Sequence, residues 1–157
     1  MIYIFTGPIC SGKTTRLSEW LESRESIGGV IMPVIDGKRF FLHISSGDQF
    51  PGEADENEKE IIMIGPYRFS ERAFTNANRE ILESFKRNNI LVIDEIGPLE
   101  LGGKGFAPCL NYILGNKNRL HNIDLILVIM EVLTEIVTEN FGIRNYKIII
   151  NISDIKL

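Results

Sequence analysis

The chain has 157 residues, with 17 basic against 21 acidic side chains and a formal net charge of −4; 44% of its residues are hydrophobic and 24% charged. Those proportions supply a core for one domain over residues 1–157 and exclude wholesale disorder. The acidic balance without a Lys/Arg block argues against a nucleic-acid partner. No apolar run reaches the roughly 20 residues that span a bilayer, so no membrane partner is expected. The N-terminus runs straight into a strand-like segment with no basic n-region or cleavage site, so no leader is expected, and Cys10 and Cys109 are too few for a disulfide framework or a thiolate zinc site. A cytoplasmic protein is expected.

Met1 to Phe5 is a short apolar run closed by Gly7-Pro8, the pattern of a buried strand. From Gly12 the period becomes helical, with Leu17, Trp20 and Leu21 on one face and an end near Arg24. Gly28-Gly29 reads as a break before a strand from Val30 to Ile35. Asp36-Gly37 is a strong turn pair, with Arg39 to Ser45 as hairpin partner. Residues 46–60, rich in Ser, Gly and Pro and carrying acidic side chains from Glu53 to Glu60, read as a solvated loop. Ile61 to Ile64 is a strand ended by Gly65-Pro66.

Ser70 caps a predicted helix whose Phe74, Ala77, Ile81 and Phe85 share a face; Glu71 opens it and Lys86-Arg87 close it, as the helix dipole favours. Ile90 to Ile93 is a continuous apolar strand. Phe106, Cys109, Leu110, Ile113 and Leu114 mark another helix, Leu125 to Met130 another strand. Leu133, Ile136, Val137 and Phe141 form a last helical stripe before the strand Lys147 to Ile152. Apolar strands separated by helices indicate a mainly parallel sheet covered on both faces, a three-layer α/β domain, with an antiparallel hairpin annex near residues 28–45.

Gly7-Pro8-Ile9-Cys10-Ser11-Gly12-Lys13-Thr14 matches G-x-x-x-x-G-K-[ST] and lies between a predicted strand and a predicted helix. Gly7 and Gly12 let the backbone wrap so that its N–H groups converge on phosphate oxygens, and the helix N-terminus adds its dipole. Lys13 is expected on the β- and γ-phosphates and the Thr14 hydroxyl on Mg²⁺, with Thr15 within reach of the α-phosphate. Cys10 has two readings: a thiol made reactive by the helix N-terminus, or a loop position where the backbone alone matters.

The strand Ile90 to Ile93 ends in Asp94-Glu95. A carboxylate there suits the Mg²⁺ shell, and a second one just beyond can polarise a water for in-line attack on the γ-phosphate. Asp94 is therefore a candidate metal ligand, with Glu95 and Lys13 as candidate catalytic residues. Glu95 favours hydrolysis over transfer. Glu100 and the stretch Gly102-Gly103-Lys104-Gly105 follow, readable as a mobile loop or a connector.

The segment Val92 to Leu101, taken with Gly7 to Thr15, resembles the THEP-type nucleoside-triphosphatases, also called the cancer-related nucleoside-triphosphatase family. Gly29 to Ile44, with Gly37-x-Arg39, and Gly65-x-Tyr67-Arg68 are similar to further landmarks of that family. The resemblance implies a P-loop fold of the additional-strand, catalytic-glutamate type, with Leu125 to Met130 lying between the phosphate-loop strand and the Asp94 strand. It also implies Mg²⁺-dependent hydrolysis of ATP, GTP and other nucleoside triphosphates, with Asp94 serving Mg²⁺ and Glu95 activating water. One departure stands out. After the fourth core strand a basic γ-phosphate sensor is expected, but the chain reads Met130-Glu131-Val132; Arg39 and Arg68 are the candidates for supplying that charge.

Two other functions share these motifs. One is a small nucleotide or nucleoside kinase, which an Arg-rich lid segment would support; none is seen. The other is a slow nucleotide-dependent switch that binds a protein partner. His43 and His121 read as structural, and Trp20 and the nine phenylalanines as core rather than base-stacking platforms.

Overall fold

The structure, a computed structural model, describes residues 1–155. In chain order the elements are β1 (Ile2–Phe5), α1 (Lys13–Glu22), β2 (Ile27–Ile31), β3 (Val34–Ile35), β4 (Lys38–His43), β5 (Gln49–Pro51), β6 (Ile61–Ile64) and β7 (Tyr67–Ser70). Then come α2 (Glu71–Arg87), β8 (Ile90–Ile96), α3 (Pro98–Leu101), α4 (Ala107–Gly115), α5 (Lys117–Leu120), β9 (Asp124–Ile129), α6 (Thr134–Asn140) and β10 (Tyr146–Ile149).

The main sheet has the order β10-β1-β9-β8-β2-β4-β3, with β5 added on β4. The strands from β10 to β2 are parallel, while β3, β4 and β5 form the antiparallel annex. β9 lies between β1 and β8, in register with Phe5 through Val128 on one side and Ile93 through Leu127 on the other. That is the additional-strand order that the family resemblance implied.

Alternation along each strand divides the core between the two faces. Tyr3, Phe5, Val92, Ile126 and Val128 pack with Leu17 and Trp20 of α1. Ile4, Leu91, Ile93, Leu125 and Leu127 pack with Phe74, Ala77, Ile81 and Phe85 of α2 and with Cys109, Leu110 and Ile113 of α4. Helix α2 starts as expected: the Ser70 hydroxyl accepts from the N–H of Ala73, Glu71 lies in the first turn, and Lys86 and Arg87 lie in the last.

Several expectations need correction. Gly28 and Gly29 do not break the chain but lie inside β2, buried throughout. A Cβ on Gly28 would stand 2.5 Å from the Cβ of Ser84, so glycine there lets α2 press directly on the strand. Gly29 has φ 112° and faces the Val92 carbonyl, with no room for a side chain. β2 ends at Ile31, and after Met32-Pro33 the chain enters β3; Asp36 (φ 51°) and Gly37 (φ 77°) then form the two-residue hairpin turn.

The stretch 46–60 is less of a free loop than its composition suggests. It contains β5; Glu53 accepts from the Arg39 N–H at 3.0 Å and Glu58 from the Ser70 hydroxyl at 2.5 Å. Tyr67–Ser70, of which the sequence reading assigned only Ser70, as a helix cap, pairs antiparallel with β6. Ile136 is exposed, so the stripe of the last helix reduces to Val137, with Leu133 and Phe141 packed at its edge. The closing strand ends at Ile149, and Asn151 caps a short 3₁₀ turn over Ile152–Asp154.

Candidate functional site

The loop between β1 and α1 turns sharply because two of its residues take left-handed backbone: Cys10 (φ 58°) and Gly12 (φ 74°), the latter directly before the first helical residue. Gly12 meets this demand without a Cβ penalty. Cys10 meets it while its side chain points outward, exposed. The Lys13 ammonium folds back over the loop and donates to the carbonyls of Gly7 (3.1 Å) and Pro8 (2.8 Å). Thr14 and Thr15 follow in the first turn of α1, with Thr15 on its exposed side.

At the carboxyl end of β8, Asp94 is fully buried and held by three donors. Its Oδ2 accepts from the Thr14 hydroxyl at 3.0 Å and the Met32 N–H at 3.1 Å, and its Oδ1 from the Glu95 N–H at 2.9 Å. Burial is the larger effect on its acidity and, with the neighbouring Glu95 charge, raises its pKa to about 6 against the pull of those donors. The first strand loop and the end of β8 are thus tied together by one hydrogen bond, although 80 residues of sequence separate Thr14 from Asp94.

Glu95 breaks the strand pattern. Its φ of 60° is left-handed, and the register between β8 and β9 shifts between Ile93 and Ile96. A non-glycine residue in that region is strained by about 1–2 kcal/mol. Here the turn takes the carboxylate out of the sheet and into the cleft, where it meets the Arg39 guanidinium at 3.3 Å. Arg39 comes from β4, and its guanidinium also lies 5.8 Å from the centre of the Tyr67 ring.

These groups line one cleft of about 590 Å³. The phosphate loop forms one wall with Ile9 to Thr15 and Ser18. Met32, Pro33, Val34 and Arg39 also line it, β7 contributes Tyr67 and Phe69, and residues 95–100 and 128–130 complete the lining. Gly7, Pro8 and Asp94 border it from behind: Gly7 and Pro8 through Lys13, Asp94 through Thr14 and Glu95.

Glu100 is the residue that sequence reading left unassigned. It is buried in the cleft wall, where its Oε2 accepts from the Gly97 N–H at 2.7 Å and its Oε1 from the Phe106 N–H at 2.8 Å. The glycine-rich stretch 102–105 is therefore pinned at both ends, a connector rather than a free loop. A visible signal was Gly97-Pro98-x-Glu100, in which a glutamate three residues past the N-cap can return to the cap N–H. Burial, the dominant effect, raises the Glu100 pKa to about 7.

Of the two arginines considered for the missing charge, Arg39 faces the cleft and Arg68 does not, lying opposite Met63 in the β6–β7 hairpin. Glu131 is exposed at the start of a 3₁₀ turn and takes no part in the cleft wall. His43 meets Phe50 edge-to-face and stands 3.9 Å from Glu80, away from the cleft, and His121 is exposed beyond α5.

A Walker-type loop, an acidic strand end and this strand order define a P-loop nucleotide-binding protein. The family model described as NTPase matches residues 2–152, and the chain belongs to that family. In fold it is similar to the crystal structure of THEP1 from the hyperthermophile Aquifex aeolicus, with a TM-score of 0.72 and 19% identity over 96% of this chain and 90% of that one. No curated protein matches significantly.

Proposed function

We propose that the protein hydrolyses nucleoside triphosphates, ATP and GTP among them, to diphosphate and phosphate with Mg²⁺. The observation that carries this reading is the convergence of Thr14, Asp94 and Glu95 beside a phosphate-binding loop. A hydroxyl and a carboxylate 3.0 Å apart are hard oxygen donors of the kind Mg²⁺ takes from protein while keeping water and phosphate oxygens as its other ligands. Among the described residues no three His, Cys, Asp or Glu side chains form a metal cage, which suits a cation that arrives with its nucleotide. Thr14 and Asp94 would hold it, and it would neutralise charge on the β- and γ-phosphates.

The protein's own groups do the rest. The backbone N–H groups of residues 9–15 and the Lys13 ammonium receive the phosphates, so Lys13 exchanges its carbonyl partners for phosphate oxygens. Glu95, free of the sheet and facing the cleft, orients a water toward the γ-phosphorus and accepts its proton. The side chains of Met32, Val34, Tyr67 and Phe69 give the cleft an apolar lining beside these groups.

Among the described residues no helix is long and apolar enough to cross a membrane. Both cysteines are free thiols, as the reducing cytoplasm maintains, and we place residues 1–157 there as one nucleotide-binding domain. Phosphate release with Mg²⁺ and each nucleoside triphosphate tests the reading. Lys13→Ala should lower release at least about 10²-fold by weakening phosphate contacts; undiminished release would refute it.

A further inference from the structure

We propose that Arg39 supplies the cation that stabilises the γ-phosphoryl group during transfer, and that its ion pair with Glu95 is the resting position it leaves to do so. The inference rests on the triphosphatase reading and fills the position that Glu131 leaves without a positive charge.

Among the described residues the cleft is lined by two cationic side chains, Lys13 from the start of α1 and Arg39 from β4. Lys13 belongs to the loop that receives the β- and γ-phosphates. Arg39 reaches in from the annex and ends at the carboxylate that faces the attacking water, Nη1 to Oε1 3.3 Å. A guanidinium touching Glu95 is therefore within one side-chain swing of the γ-phosphorus, because a water between glutamate and phosphate spans only two hydrogen-bond lengths.

The base of the side chain is fixed by the sheet, while its tip is held by a single ion pair. The Arg39 N–H donates to Glu53 at 3.0 Å, and β4 is paired on both sides by β2 and β5. The tip has one carboxylate partner, an exposed pair of modest strength, and Tyr67 nearby. A γ-phosphate offers a more highly charged, bidentate partner for the same fork of N–H donors. Moving to it also releases the Glu95 carboxylate from its ion pair, leaving it free to contact the attacking water.

In the step itself the water oxygen bonds to the γ-phosphorus and its proton passes to the Glu95 carboxylate. The bond from the γ-phosphorus to the β–γ bridging oxygen breaks, and the diphosphate leaves with that electron pair. Arg39 faces the equatorial oxygens on which charge accumulates. Because Arg39 comes from the same chain, turnover needs no partner protein to supply a cation.

The test compares wild type, Arg39→Ala and Arg39→Lys in phosphate release, in affinity for a non-hydrolysable triphosphate, and in binding of a diphosphate with Mg²⁺ and aluminium fluoride, a mimic of the transferring group. In Arg39→Ala release should fall about 10³-fold, the lower range for such a cation. Affinity for the triphosphate analogue should stay within about threefold, while the fluoride complex is lost. Arg39→Lys keeps a charge for Glu95 and for the hairpin but lacks the planar fork, and should remain about as slow as the alanine variant. Release within about threefold of wild type in either variant would overturn the inference, as would equal weakening of both nucleotide complexes. A wild type that releases no phosphate overturns the triphosphatase reading together with this one. Hydrolysis that survives the loss of Arg39 overturns this one alone.

Discussion

Glu100 offers a quantitative check on how the cleft wall is held. Its carboxyl titrates near 7 in the folded protein against an ordinary 4.5, chiefly because burial disfavours the charged form. Between those values the folded chain holds a proton that the unfolded chain has released, so stability falls as pH rises from about 4.5 to about 7 and is flat above that. At about 1.4 kcal/mol per pH unit, the contribution lost is about 3 kcal/mol. Asp94, raised to about 6, adds its own slope at lower pH, so the comparison must be with a variant that removes only Glu100. Glu100→Gln cannot ionise and retains one acceptor for the Gly97 or Phe106 N–H. Urea unfolding of both proteins at pH 5 and pH 8 should show the wild-type advantage shrinking by about 2–3 kcal/mol at the higher pH. Parallel pH dependence in the two proteins would show that Glu100 does not titrate in this window, and the burial argument would fail.

Gly29→Ala places a Cβ against the Val92 carbonyl on a backbone of φ 112°, and should cost about 3 kcal/mol, a drop of about 6–12 °C in Tm; a melting point within about 2 °C of wild type would contradict the close approach of β2 and β8. Cys10 is exposed, whereas Cys109 is buried with its thiol pushed up to about 12, mainly by burial. A thiol reagent should therefore modify the native protein once, at Cys10, and Mg²⁺-nucleotide should slow that reaction by covering the loop. Modification at Cys109 first, or no protection by nucleotide, would count against the placement of the loop.

The parts of the fold that were legible in the sequence are those where one local signal suffices. The apolar strands, the Ser70 cap and the loop from Gly7 to Thr15 each carry their pattern within a few residues. Gly28-Gly29 misled because glycine pairs usually mark turns; here they accommodate Ser84 and Val92, contacts made across the sheet and invisible in a local window. The stretch 46–60 looked solvated because its carboxylates are numerous, yet Glu53 and Glu58 find partners in β4 and at the start of α2.

Much the same holds in the site. Asp94 and Glu95 were evident as a strand end, but the strained turn that separates their directions, one inward to Thr14 and one outward to Arg39, arises from the bulge against β9. Arg39 could be named from sequence only as one of two candidates. Its place on Glu95 depends on β4 folding back beside β2, a pairing between segments whose own patterns say nothing about β8.

The most direct test of the account is phosphate release by wild type and Glu95→Gln, with binding of Mg²⁺-nucleotide measured on the same samples. The amide keeps the size and position of the carboxylate but cannot accept the proton of the attacking water. Release should fall by about 10²-fold or more, with nucleotide affinity retained. Equal release from both proteins would contradict the assignment of Glu95 as the group that activates water, and with it the hydrolytic reading of the cleft.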